Sequence, residues 1–81
     1  VRTVELELTE QELEQLEGYQ GTEWADPLLH GLDDGRVSEL AIWQSRQALE
    51  DLFGRRWRHR LLQKLGSAGA KIGKVLEAHG E

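Results

Sequence analysis

Val4, Leu6 and Leu8 alternate with Thr3, Glu5 and Glu7, the period-two pattern of a short strand with one apolar and one wet face. Directly after it, Thr9 and Glu12 have the spacing of a capping box, with Leu8 and Leu13 placed as a hydrophobic staple, so a helix is predicted to begin at residue 10. Leu13, Leu16 and Tyr19 give that helix a narrow apolar stripe, and it is expected to stop at Gly18 or Gly21, with Gly21 preferred. The next segment is less regular. Asp26 before Pro27 reads as an N-cap followed by proline at the first helical position, opening one or two turns with Leu28, Leu29 and Leu32, beside which Trp24 packs. Asp33-Asp34-Gly35 marks a turn, and Ser38 starts a helix of about four turns lined by Ala41, Ile42, Ala48, Leu49, Leu52 and Phe53 and stopped or kinked at Gly54.

The strongest pattern lies in residues 56–78. Plotted at about 100° per residue, Trp57, Leu61, Leu62, Leu65, Ala68, Ile72, Val75 and Leu76 fall within a sector of about 140°, intruded on only by Arg58. Arg56, Arg60, Gln63, Lys64, Ser67, Lys71 and Lys74 take the opposite side, and Gly66, Gly69 and Gly73 line one border. Each glycine inside a helix costs roughly 0.5–1 kcal/mol relative to alanine. Three of them point either to close approach by another backbone or to a break near Gly66, and the unbroken apolar phase favours one continuous, closely packed helix.

These elements predict a mainly α fold: a short N-terminal strand, three principal helices with one short helix between the first two, and an amphipathic basic C-terminal helix. Eighty-one residues make one small domain, and the absence of cysteine removes disulfides and thiolate metal sites. With no targeting segment in evidence and no apolar run of bilayer length, the expected setting is intracellular, by default cytoplasmic. The net charge of −5 conceals two opposite halves: residues 1–54 carry 13 acidic and 3 basic side chains, residues 55–81 carry 7 basic and 2 acidic. Such a split suits a basic helix lying along an acidic body, and it also suits a basic segment kept for an anionic partner.

Catalytic chemistry finds little footing. His30, His59 and His79 are far apart, Asp26 and His30 at i, i+4 supply two ligands at most, and Asp33-Asp34-Gly35 lacks the alternating ligands of a calcium loop. Glu10, Glu12, Glu14 and Glu17 crowd the first helix near its positive end and are expected to face water for the most part. No cofactor, metal or catalytic residue is therefore predicted.

Two groups of residues suggest contact with a partner. Arg55, Arg56, Arg58 and Arg60, interleaved with Trp57 and His59, match what binds a protein's acidic surface, a nucleic-acid backbone or an anionic membrane, although Trp57 also reads as the first core residue of the last helix. Leu40 and Trp43 lie one turn apart on the polar side of their helix among Glu39, Gln44, Gln47, Glu50 and Asp51. They read either as an interface anchor or as side chains packed beneath the 22–36 segment.

The stretches Val4-Glu5-Leu6-Glu7-Leu8-Thr9-Glu10-Gln11-Glu12-Leu13 and Gly35-Arg36-Val37-Ser38-Glu39-Leu40 make residues 3–53 resemble the ribbon-helix-helix regulators and antitoxins, which dimerise through paired strands. That resemblance implies a homodimer joined through Val4, Leu6 and Leu8. It also implies DNA reading by the outward side chains, which here are Thr3, Glu5 and Glu7; two glutamates beside phosphates oppose this, and the link between the helices is longer than the family's turn. An unpaired strand also asks for a second copy on physical grounds, because a free apolar edge is a liability. The sequence thus points to a non-enzymatic protein-interaction module, a dimeric regulator, adaptor or inhibitor. A ribbon-helix-helix-like nucleic-acid regulator or antitoxin is the alternative, and attachment of the final helix to a membrane surface is the third reading.

Overall fold

A computed structural model describes residues 2–79. The chain forms β1 (Thr3–Glu5), α1 (Glu10–Glu17), α2 (Ala25–Gly31), β2 (Leu32–Asp33), β3 (Arg36–Ser38), α3 (Glu39–Phe53), one 3-10 turn (Gly54–Arg56), α4 (Trp57–Leu65) and α5 (Ser67–His79). The fold is mainly α with a short strand near the N-terminus, as the hydrophobic pattern predicts; β2 and β3, which join that strand in a small sheet, are not foreseen by it.

The local start signals act as expected. Thr9 Oγ1 accepts from the Glu12 backbone N–H at 3.2 Å and Glu12 Oε1 accepts from the Thr9 N–H at 2.9 Å, so both halves of the capping box form. Ser38 caps α3 by accepting from the Ala41 N–H at 3.2 Å. The hairpin between β2 and β3 turns at Asp34-Gly35, whose φ values of 51° and 76° are the double left-handed pair that a two-residue hairpin needs.

Other boundaries depart from expectation. α1 ends at Glu17 with Gly18 as its C-cap, the first of the two expected stops and not the preferred Gly21; past it the chain tightens into bonds from Tyr19 N to Leu16 O and from Gln20 N to Glu17 O. Asp26 lies inside α2 and does not cap it; its carboxylate reaches back to the Gly21 N–H at 2.8 Å, while Thr22 Oγ1 accepts from the Ala25 N–H at 3.3 Å.

The strand expected to stand alone has a partner in its own chain. The sheet order is β1-β3-β2, with Thr3 opposite Ser38, Val4 opposite Val37 and Glu5 opposite Arg36, all antiparallel. The Leu6 N–H extends the pairing to Gly35 O at 2.8 Å. Leu6 is buried, and Val4 and Leu8 are half-buried against the same core. The need for a second copy at Val4, Leu6 and Leu8 is thereby reduced, because β3 satisfies one edge of the strand and the core takes its apolar face, while the other edge of β1 stays at the outside of the sheet.

The second correction concerns residues 56–78, which form two helices. Gly66 adopts φ 58°, ψ −124° and turns the chain back, so that α5 packs against α4. Of the glycine row, Gly69 does mark a close approach, and the approaching backbone is α4 itself. A Cβ on Gly69 would stand 2.8 Å from the Leu61 carbonyl carbon and 2.9 Å from Leu62 Cα, closer still to the Leu61 oxygen. Phase survives the break because Leu61, Leu65, Ala68, Ile72 and Leu76 all face one core, joined there by Leu16, Trp24, Leu28, Val37, Ile42, Leu49 and Trp57.

Candidate protein-interaction surface

The outer face of α3 is built by its own periodicity. Ala41, Ile42, Ser45 and Leu49 turn inward, and Ser45 Oγ donates to Trp24 O at 2.7 Å, which fixes α3 against the segment preceding α2. Leu40 and Trp43 consequently face out and stay 63% and 50% exposed. They do not pack beneath the 22–36 segment. Beside them an open cleft of about 450 Å³ runs between α2 and α3, edged by Glu23, Asp26, His30, Leu40 and Gln44. At the other end of α3 lies a second open hollow, of about 470 Å³, lined by Glu50, Gly54, Arg55 and Trp57. Trp43, Gln47, Glu50 and Gly54 follow at i, i+4, i+7 and i+11, so the exposed tryptophan and the hollow share one strip of the helix. The sequence shows the spacing of Trp43, Gln47, Glu50 and Gly54 but not the hollow, which needs Trp57 of α4 as a wall.

The basic segment divides in two. Trp57 is 6% exposed and sits in the core, with the Arg46 guanidinium 5.7 Å from its ring centroid; it meets the surface only as a wall of the hollow. Arg58 is held by Glu77 of α5. Arg55, Arg56 and Arg60 are exposed and form no ion pair among the described residues. Lys64 lies over Tyr19 and Phe53, 5.6 and 5.4 Å from their ring centroids.

Among the described residues one ion pair joins the acidic and basic parts. Lys71 Nζ donates to Glu12 Oε1 at 2.7 Å, so this glutamate, expected in water with its neighbours on α1, is 5% exposed. The Lys71 ammonium, with the Thr9 backbone N–H behind it, holds the Glu12 carboxyl down from 4.5 to about 2. The arrangement fastens α1 to α5, with Glu12 Oε1 accepting from both the Thr9 N–H and Lys71. Leu52 and Leu62, expected to line the core, are 54% and 46% exposed. Leu62 borders a groove whose other wall is Gly69, Ala70 and Gly73, residues too small to cover it.

Among the described residues no three histidine, aspartate or glutamate side chains approach closely enough to hold a metal ion, and no helix is long and apolar enough to cross a membrane. No family model, curated protein or solved structure matches this chain.

Proposed function

We propose that this chain is a non-enzymatic protein-interaction module, a small regulator, adaptor or inhibitor, whose contact surface is the outer face of α3. The observation that carries the reading is the exposure of Leu40 and Trp43, one turn apart on a helix whose opposite face is anchored in the core. A tryptophan on a rigid support brings a large contact area at little cost in conformational entropy, which is why tryptophan is enriched among the residues that dominate binding energy. The cleft on one side of the pair and the hollow beyond it supply relief into which a partner's side chains fit. Arg55, Arg56 and Arg60 extend the surface with positive charge.

A photo-crosslinking residue at Gln44, on the rim of the α2–α3 cleft, tests this reading. Whatever it captures is purified, recombined with the chain, and its affinity measured for the native protein and for Leu40→Ser/Trp43→Ala. The reading requires a reconstituted complex that weakens at least about tenfold in the double variant; a complex indifferent to both residues ends it.

The exposed arginines favour one second reading, a nucleic-acid-binding regulator working through Arg55, Arg56 and Arg60. Its signature is affinity for mixed DNA or RNA that falls steeply between about 50 and 200 mM salt. Flat or absent binding across that range removes it.

A further inference from the structure

We propose that the partner of this surface includes a second copy of the chain, with two α3 helices packed antiparallel and Trp43 of each copy seated in the hollow at Gly54 of the other. The inference rests on the reading of α3 as a contact face and deepens it by naming the occupant.

Three observations converge. First, an exposed tryptophan and an open hollow lie on the same strip of one helix, at Trp43 and at Gly54, eleven residues or about 16 Å apart. A knob and a socket on one face are what an isologous contact needs, since a two-fold axis perpendicular to the helix brings each knob to the other copy's socket. Gly54 leaves the socket open: a Cβ built there would meet nothing within 4 Å.

Second, the register that matches Trp43 with the partner subunit's Gly54 also matches Gln47 with the partner subunit's Glu50. The amide of Gln47 is a donor facing a carboxylate, and the pairing occurs twice about the axis. Glu50 already accepts from Arg46 Nε at 3.0 Å, which holds it at the edge of the hollow with acceptor capacity to spare.

Third, the charges at the two ends of the strip are opposite. Glu39 lies at the start of α3, with Glu23 across the adjoining cleft, while Arg55 and Arg56 follow its C-terminus. Antiparallel pairing brings the basic end of each copy toward the acidic end of the other, whereas parallel pairing would set like charges together. The strip is short, since α3 spans only about 22 Å. The dimer is therefore expected to be weak and rapidly exchanging, of the size class of transient contacts.

The test is sedimentation equilibrium of the whole chain up to about 1 mM, the millimolar affinity limit worth seeking, with native protein, Trp43→Ala, Gln47→Glu and Gln47→Lys, all checked for folding by circular dichroism. The expected result is a concentration-dependent dimer, weakened about tenfold or more by W43A. Q47E, which sets a carboxylate against Glu50 of the partner subunit, should weaken it about two- to fivefold, and Q47K should tighten it by a similar factor. A dimer that W43A leaves intact, or that neither Gln47 variant shifts, overturns this pairing. A chain that stays monomeric throughout while the Gln44 crosslink captures a different protein overturns self-pairing and leaves the interaction-module reading standing. A monomer that captures nothing loses both.

Discussion

The Lys71 ammonium donates to the Glu12 carboxylate at 2.7 Å, tying the first turn of α1 to α5 across 59 residues of chain. Because Glu12 is also the inner half of the capping box, one carboxylate caps the start of α1 and docks the helix. Its folded pKa of about 2 lies below the ordinary 4.5, so it binds protons more weakly folded than unfolded. The stability it contributes is fully present above pH 4.5 and is lost as the pH falls from there toward 2. In urea titrations, the native chain should lose stability across that window. Glu12→Gln should start lower at pH 7 and show a flatter acid limb; parallel acid limbs for the two proteins would contradict the assignment.

The glycines of α5 should respond in opposite directions. Gly69→Ala forces a methyl group against the α4 backbone at Leu61 and Leu62, which cannot give way as a side chain can, and is expected to cost about 1–3 kcal/mol. At Gly73 the nearest atoms to an added Cβ are Arg58 Nε at 3.7 Å and Leu61 Cδ2 at 3.8 Å, ordinary contact distances. Gly73→Ala should therefore stabilise the protein by about 0.5–1 kcal/mol through helix propensity. Chemical denaturation midpoints of the two variants check the contrast.

Ser45 is fully buried in the middle of α3, and its hydroxyl donates to Trp24 O. Ser45→Ala removes the bond that ties the Trp24 carbonyl to α3; because Trp24 is also the N-cap of α2, its carbonyl keeps an intrahelical donor, and the expected cost is about 0.5–1.5 kcal/mol. A variant as stable as the native chain would mean that this bond adds nothing to the docking of α3.

Leu40→Ser and Trp43→Ala should leave folding stability within about 0.5 kcal/mol of native at micromolar protein, where self-association is absent, because neither side chain supports the core. Leu61→Ala, one residue from exposed Leu62 but itself fully buried, should cost about 2–5 kcal/mol. Thermal melts of the three variants separate the surface positions from the structural one.

Much of the architecture is legible along the chain. The Thr9–Glu12 box, the Ser38 cap, the Asp34-Gly35 turn and the inward phase of Ile42, Leu49, Leu61, Ile72 and Leu76 each depend on residues a few positions apart, and such signals survive in a one-dimensional reading. Of the proposed contact surface, the position of Leu40 and Trp43 among polar neighbours was readable in the same way.

What remained depended on residues distant in sequence. β3 is three residues long with one buried apolar side chain, too short to announce itself as the partner of β1, so that strand looked unpaired until the hairpin placed Val37 opposite Val4. The break at Gly66 was hidden because a straight helix and a folded-back pair present the same apolar residues to one core. Period reports which side of a helix is buried and says nothing of where its axis turns. Glu12 was legible as a cap but not as a buried ion, because Lys71 reaches it only after α5 has doubled back. The hollow at Gly54 likewise exists only once α4 leaves α3 at an angle and sets Trp57 as its wall. Capping, turn chemistry and helical phase were thus determined by the sequence within a few residues of each site. The pairing of β1, the α4–α5 reversal, the buried Glu12–Lys71 contact and the relief beside Trp43 were decided by tertiary packing, because each requires groups that local geometry alone never brings together.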